Sequence, residues 1–253
     1  MQRIYTTEHT ILATECDLTR MWKMPAIFIA MQEVADLHAR QLGIARDNLR
    51  PLGMIWMIAR TRVQMQRYPK HGDTIKISTY PGMPDRVGFP RYFIFEDMQG
   101  NQLGVASSLW MIVDTQTLRL MSPAKANLTF PDTSDIAPSL EIPKRERLDL
   151  EGARESLRIP TYNDIDMNDH VNNTRYVEWV TDLFDAERYK HQMLASLQVN
   201  YIAQTKFGQQ VKIHCKEQGN DFVVSGSDAH RENALFEAMG SFIDRDEPIA
   251  ILP

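Results

Sequence analysis

The chain has 253 residues, 43% hydrophobic, 24% charged and 9% aromatic, enough to bury a sizeable core without staples. Its 28 basic and 33 acidic residues leave a formal charge of −5, so no overall basic field draws in nucleic acid. The longest apolar run, Met24 to Met31, is too short to span a bilayer, and Cys16 and Cys215 fall in no metal or redox spacing. No secretory signal is readable behind Arg3, which leads to the expectation of a cytoplasmic globular protein with no membrane contact, metal or cofactor.

In chain order, Met24 to Leu42 reads as a helix. Pro25 suits its first turn, Gly43 stops it, and apolar residues on every side of its first turns predict burial all round. Alternation predicts strands over Arg60 to Gln66 and Thr74 to Ser78. Arg91 to Glu96 and Leu103 to Asp114 flank a Gln99-Gly100-Asn101 turn and read as a hairpin. Then Tyr176, Trp179, Val180, Leu183 and Phe184 form one stripe of a second, amphipathic helix. Strands follow over Leu197 to Ala203, Gln210 to Lys216, Phe222 to Ser227 and Ala234 to Asp244.

The order of helix and then four strands thus occurs twice. Lys70-His71-Gly72-Asp73 resembles Lys206-Phe207-Gly208-Gln209, and Met111 to Asp114 resembles Ser241 to Asp244. The offsets are 136 (208 − 72) and 130 (244 − 114), as expected of a duplication with unequal loops. Between the halves, Pro131 to Ser139, Pro143 and the charged Lys144 to Arg147 read as a linker. A long helix followed by an antiparallel sheet is best buried when the sheet wraps the helix. The expected class is α+β, with domains at 1–130 and 151–253, a linker at 131–150, and the copies joined as a pseudo-dimer within one chain.

One stretch reads as chemistry. In Asp166-Met167-Asn168-Asp169-His170-Val171-Asn172-Asn173, Asp166, Asn168 and His170 would share one face of an extended segment just before the second helix. A His titrates near neutral pH and can take a proton from water attacking a carbonyl. Backbone N–H groups at the helix start, near Val171 to Asn173, could receive the oxyanion. The same Asp and Asn residues also suit turn and cap roles.

With Tyr176 and Trp179 following, this stretch resembles the D-x-N-x-H-V-N-N-x-x-Y-x-x-W signature of the acyl-acyl-carrier-protein (acyl-ACP) thioesterases. Ile55 to Arg60, Arg67 to Asp73 and Ser108 to Leu120 are similar to other stretches of that family, in its order. The resemblance implies a tandem (double) hot-dog fold whose first half houses the acyl chain and whose second half is catalytic. It implies hydrolysis of a fatty acyl-phosphopantetheine thioester on acyl carrier protein. The family's catalytic Asp, Asn and His carry over to Asp166, Asn168 and His170. Where the family has Glu followed by Cys, this chain has Gln204 and Thr205. Gln204 can orient water or the carbonyl but cannot act as a base, and Thr205 replaces a thiol proposed as nucleophile. Either Asp166 or His170 would then serve as base in direct hydrolysis.

Asp17-Leu18-Thr19-Arg20-Met21 occupies the equivalent place in the first half, at an offset of 149 (166 − 17), with Thr and Met for Asn and His. That half is expected to lack chemistry. Two basic clusters, Arg60 to Lys70 and Lys144 to Arg147, are either docking patches for an acidic carrier or wet strand faces. Rival readings are an acyl-CoA thioesterase of the same fold and a non-catalytic acyl-binding module; chain length, saturation and a homodimer stay open.

Overall fold

The structure, a computed structural model, describes residues 1–86 and 88–245. It divides into two compact units, neither continuous in sequence. The first joins Met1–Leu12 to Ile29–Pro143, and the second joins Ala13–Phe28 to residues 144–245. The boundaries expected from sequence are continuous by contrast, and residues 246–253 of the C-terminal domain lie outside the described residues. The exchange of residues 13–28 has a visible anchor within the second unit. Arg245 there donates to Thr19 Oγ1 at 2.9 Å and faces Asp17 Oδ2 at 3.5 Å.

In chain order the first unit holds β1 (Tyr5–Thr10), most of α1 (Met24–Gln41), α2 (Arg46–Leu49), β2 (Met54–Met65), β3 (Thr74–Pro81), β4 (Phe89–Asp97), β5 (Gln102–Asp114), β6 (Leu120–Met121) and α3 (Pro123–Ala126). Its sheet runs β1-β3-β4-β5-β2 with every pair antiparallel, and β6 adds to β5. Ile75, Ile77, Phe93 and Phe95 are buried, each such side chain contributing about 1.5–3 kcal/mol. On α1, His38 accepts from Arg91 through Nδ1 at 3.2 Å and stacks on Tyr5, so this helix face meets the sheet. The helix is not buried all round as expected, because Ile29 in its second turn and Leu37 in its fourth reach solvent.

The second unit holds β7 (Arg154–Arg158), α4 (Asn173–Thr181), α5 (Ala186–His191), β8 (Gln192–Tyr201), β9 (Val211–Gln218), β10 (Asp221–Asp228) and β11 (Ala234–Asp244). Its antiparallel sheet runs β8-β11-β10-β9-β7. The predicted helix stripe packs as expected at Tyr176 and Trp179, whose rings meet Phe236, but α4 ends at Thr181 and Phe184 lies beyond it. Each unit is therefore a helix on an antiparallel sheet, the hot-dog arrangement, present twice.

Residues 131–150 form neither helix nor strand, yet they are bonded along their course. In the first unit they lie on the sheet face turned away from His38. Thr133 donates to the Pro81 carbonyl (2.7 Å), Tyr80 to that of Ala137 (2.8 Å), and Ser107 to that of Glu141 (2.8 Å). In the second unit Gln198 donates to the Lys144 carbonyl (2.8 Å), and Arg145 grips Glu237 with two bonds of 2.9 and 2.7 Å. Arg145 is thus committed within the chain. No helix among the described residues is long and apolar enough to cross a membrane.

Candidate active site

The stretch from Asp166 to His170 is a tight turn rather than an extended segment. The Asp166 N–H donates to the His170 carbonyl (3.0 Å) and that of Asp169 to the Asp166 carbonyl (3.0 Å), while Asp169 adopts a left-handed φ of 62°. Ile165 and Val171 pair as a bridge at the base of the turn. The cause lies in the side chains: Asp166 Oδ1 accepts the Asn168 N–H at 2.8 Å, the usual way Asp closes a turn on itself. Asn168 Nδ2 donates to Asp166 Oδ2 at 3.3 Å. The turn still brings Asp166 and His170 together, with Oδ1 and Nδ1 3.9 Å apart and each side chain less than one-fifth exposed.

His170 Nδ1 also lies 3.3 Å from the Val171 carbonyl. Both neighbours of Nδ1, a carboxylate and a carbonyl, can only accept. The neutral ring therefore carries its proton on Nδ1 and keeps a lone pair on Nε2. This geometry fits a base at His170 and an organising carboxylate at Asp166.

A second wall comes from the turn after β8. The Thr205 carbonyl accepts the Val171 N–H at 2.9 Å, and Tyr176, on α4, donates from its hydroxyl to Thr205 Oγ1 at 3.0 Å. Lys206 Nζ donates to the Asp169 carbonyl at 3.0 Å. Gln204 stands one residue before this contact; its side chain is exposed and makes no hydrogen bond among the described residues. The chain thus brings Gln204 to the edge of the turn without fixing its amide.

Two of the backbone donors expected for the oxyanion are already used. Val171 N–H is held by Thr205, and Asn172 N–H donates to the Asp164 carbonyl at 2.9 Å. Asn172 itself caps α4, its side chain accepting from Thr174 N–H at 2.9 Å. Asp164 is a support not singled out from sequence. It is buried, closes a capping box with Thr161, and accepts from Trp179 Nε1 at 3.3 Å. The Thr161-x-x-Asp164 spacing was its readable signal.

The first half repeats the scaffold without the imidazole. The Asp17 N–H donates to the Met21 carbonyl (2.8 Å), and that of Arg20, at φ 67°, to the Asp17 carbonyl (3.0 Å); Cys16 and Trp22 form the bridge. Lys23 N–H donates to the Glu15 carbonyl at 3.0 Å as Asn172 does to Asp164, and every partner obeys the offset of 149. Asp17 Oδ1 accepts from Thr19 N–H at 2.8 Å, so the turn-closing role of the Asp does not require a His. Among the described residues no group of three His, Cys, Asp or Glu is placed to hold a metal ion.

Residues 2–126 match the family model described as the acyl-ACP thioesterase N-terminal domain, and residues 150–238 match that of the C-terminal domain. An acyl-[acyl-carrier-protein] hydrolase of Cuphea viscosissima is 27% identical over 212 residues, covering 78% of this chain and 51% of that protein. The chain spans about half the length of the curated relatives it matches. In structure it is similar to an acyl-ACP thioesterase from Bacteroides thetaiotaomicron, with a TM-score of 0.85, 22% identity, and coverage of 95% of this chain and 98% of that one. It is similar also to the 12:0-ACP thioesterase from Umbellularia californica, with a TM-score of 0.82, 22% identity, and coverage of 96% and 98%. The double hot-dog fold is shared with both.

Proposed function

Because this chain belongs to the acyl-ACP thioesterase family, we propose that it hydrolyses the thioester between a fatty acyl chain and the phosphopantetheine arm of acyl carrier protein. The observation that carries this reading is the imidazole of His170, whose Nδ1 faces only acceptors and whose Nε2 lone pair remains for a water molecule.

In the proposed step, His170 Nε2 takes a proton as water adds to the thioester carbonyl. The Val171 carbonyl and the Asp166 carboxylate stabilise the imidazolium formed. With Val171 and Asn172 N–H already engaged, the donors for the oxyanion are the N–H of Asn173, the first residue of α4, and the side-chain amides of Asn168 and Gln204. Collapse expels the pantetheine sulfur, which recovers the proton from His170. The products are a free fatty acid and the carrier thiol. Thr205 cannot replace a thiol nucleophile here, since its side chain is fully buried and its oxygen is bonded to Tyr176.

The test is turnover of one acyl chain offered on acyl carrier protein and on coenzyme A. Hydrolysis preferring the carrier protein is expected, with loss in His170→Ala. Preference for coenzyme A would move the substrate to the other carrier, and acyl binding without release of free acid would make the chain a binding module.

A further inference from the structure

We infer that Tyr176 and Thr205 are positioning residues of the reaction: their buried hydroxyl pair fixes the Thr205 carbonyl on the Val171 amide, and Val171 thereby holds its own carbonyl against His170 Nδ1. The kinetic consequence rests on the thioesterase reading above, whereas the effect on the imidazole does not.

Each link is a contact within the second unit. Tyr176 is 3% exposed and Thr205 is 0% exposed. Their oxygens lie 3.0 Å apart, the Thr205 carbonyl accepts Val171 N–H at 2.9 Å, and the Val171 carbonyl lies 3.3 Å from His170 Nδ1. Burial raises the Tyr176 phenol above its ordinary value, so the hydroxyl stays protonated and donates. A carbonyl fixed beside Nδ1 favours the ring with its proton on that nitrogen. Without it the proton divides between the two nitrogens, and the share with a bare Nε2 falls.

The duplicated half supplies an internal control. The turn carrying Thr205 is repeated there at an offset of 136. Lys206 N–H donates to Gln209 Oε1 at 2.9 Å, as Lys70 N–H does to Asp73 Oδ2 at 3.0 Å. Gly208 N–H donates to the Pro160 carbonyl at 3.2 Å, as Gly72 N–H does to that of Ile11 at 3.0 Å. At that offset Pro69 stands for Thr205, and at the offset of 149 Ile27 stands for Tyr176 and Met21 for His170. Pro69 and Ile27 are buried like their counterparts. The turn bonds of Lys70 and Gly72 therefore form with Pro69, which has no hydroxyl, in the place of Thr205. Two buried hydroxyls, which must satisfy each other or go unpaired at a cost, occur only in the half that has the imidazole. A brace needed for folding alone would be required in both.

The experiment compares Tyr176→Phe, Thr205→Val, the double variant and Thr205→Ser by steady-state kinetics on acyl carrier protein substrate and by 15N spectra of labelled histidine. The parent is expected to show His170 protonated on Nδ1. Tyr176→Phe and Thr205→Val should each mix the tautomers and lower kcat about tenfold, the size of one lost hydrogen bond, with KM held within about twofold. The double variant should be no worse than the worse single, since both remove the same bond. Thr205→Ser should recover most of the loss. Unchanged tautomers in folded Tyr176→Phe, or losses that multiply in the double variant, would overturn the inference. A parent without thioester hydrolysis, yet with tautomers that respond to these variants, would sink the thioesterase reading and leave the positioning role standing.

Discussion

Asp166 Oδ1 lies 3.9 Å from His170 Nδ1, while the same oxygen accepts the Asn168 amide at 2.8 Å. On the proposed mechanism the carboxylate has two tasks, closing the turn and meeting the charge that forms on the imidazole. Asp166→Asn keeps an acceptor for the turn and removes the charge, so turnover should fall about tenfold with an unchanged melting temperature. Asp166→Ala removes both and should lose about a hundredfold or more, with a lower melting temperature. Equal turnover in the two variants would show that the turn-closing bond plays no part.

His170→Ala should lower turnover at least about a hundredfold, the usual size of lost general acid–base help. Binding of an uncleavable acyl-pantetheine analogue should survive. Met21→Ala, at the matching place in the first half, should change acyl-chain preference or stability and leave the chemical step alone. Equal loss of turnover in both folded variants would place chemistry in the wrong half.

Gln204 is exposed, and its amide is tied to no group among the described residues. Gln204→Ala should therefore cost turnover less than about tenfold, as one neutral hydrogen bond to water or carbonyl would. Gln204→Glu should be tolerated. Undiminished turnover in Gln204→Ala removes this side chain from the site.

His38 is fully buried, donates from Nε2 to the Gln2 carbonyl at 3.1 Å and accepts from Arg91 on the other nitrogen. Burial, with the Arg91 charge beside it, pushes its pKa down to about 4 from 6.5. Between these values the unfolded chain binds a proton that the folded chain refuses, so stability is full above pH 6.5 and drains away as pH falls toward 4. The whole loss is of order 3 kcal/mol. His38→Gln keeps a donor and an acceptor without titrating and should flatten this part of the urea-unfolding profile. A slope identical to the parent's would disprove the assignment.

Helices and strands with apolar rhythm were readable from the residues; those without it were not. The α1 start at Met24 and the ends of β5 and β11 at Asp114 and Asp244 agree with the sequence. The edge strands β1 (YTTEHT) and β7 (RESLR) carry no readable apolar alternation, because neither has a fully buried side chain. β2 was legible only from Arg60, although it begins at Met54. A bulge between Ile58 and Arg60 breaks the alternation there, and the residues before it are almost all apolar. For the candidate site, motif spacing singled out Asp166, Asn168 and His170, which the structure places in one turn. It could not reveal that the turn around Thr205 consumes the Val171 amide, since that contact joins residues 34 positions apart (205 − 171).

The turn from Asp17 to Met21 has kept the hydrogen bonds of its counterpart with no imidazole to serve. Arg245 now fills the space beside its carboxylate, bonded to Thr19 and tied back to the Gln192 carbonyl at 3.2 Å. The hydrogen bonds of this loop are therefore complete with Met21 in the place of the imidazole. After a gene duplicates, such a loop can lose its reactive groups one at a time without endangering the protein. Rigidity and reactivity are thus separable in this motif, since its Asp closes the turn whichever residue stands four positions on.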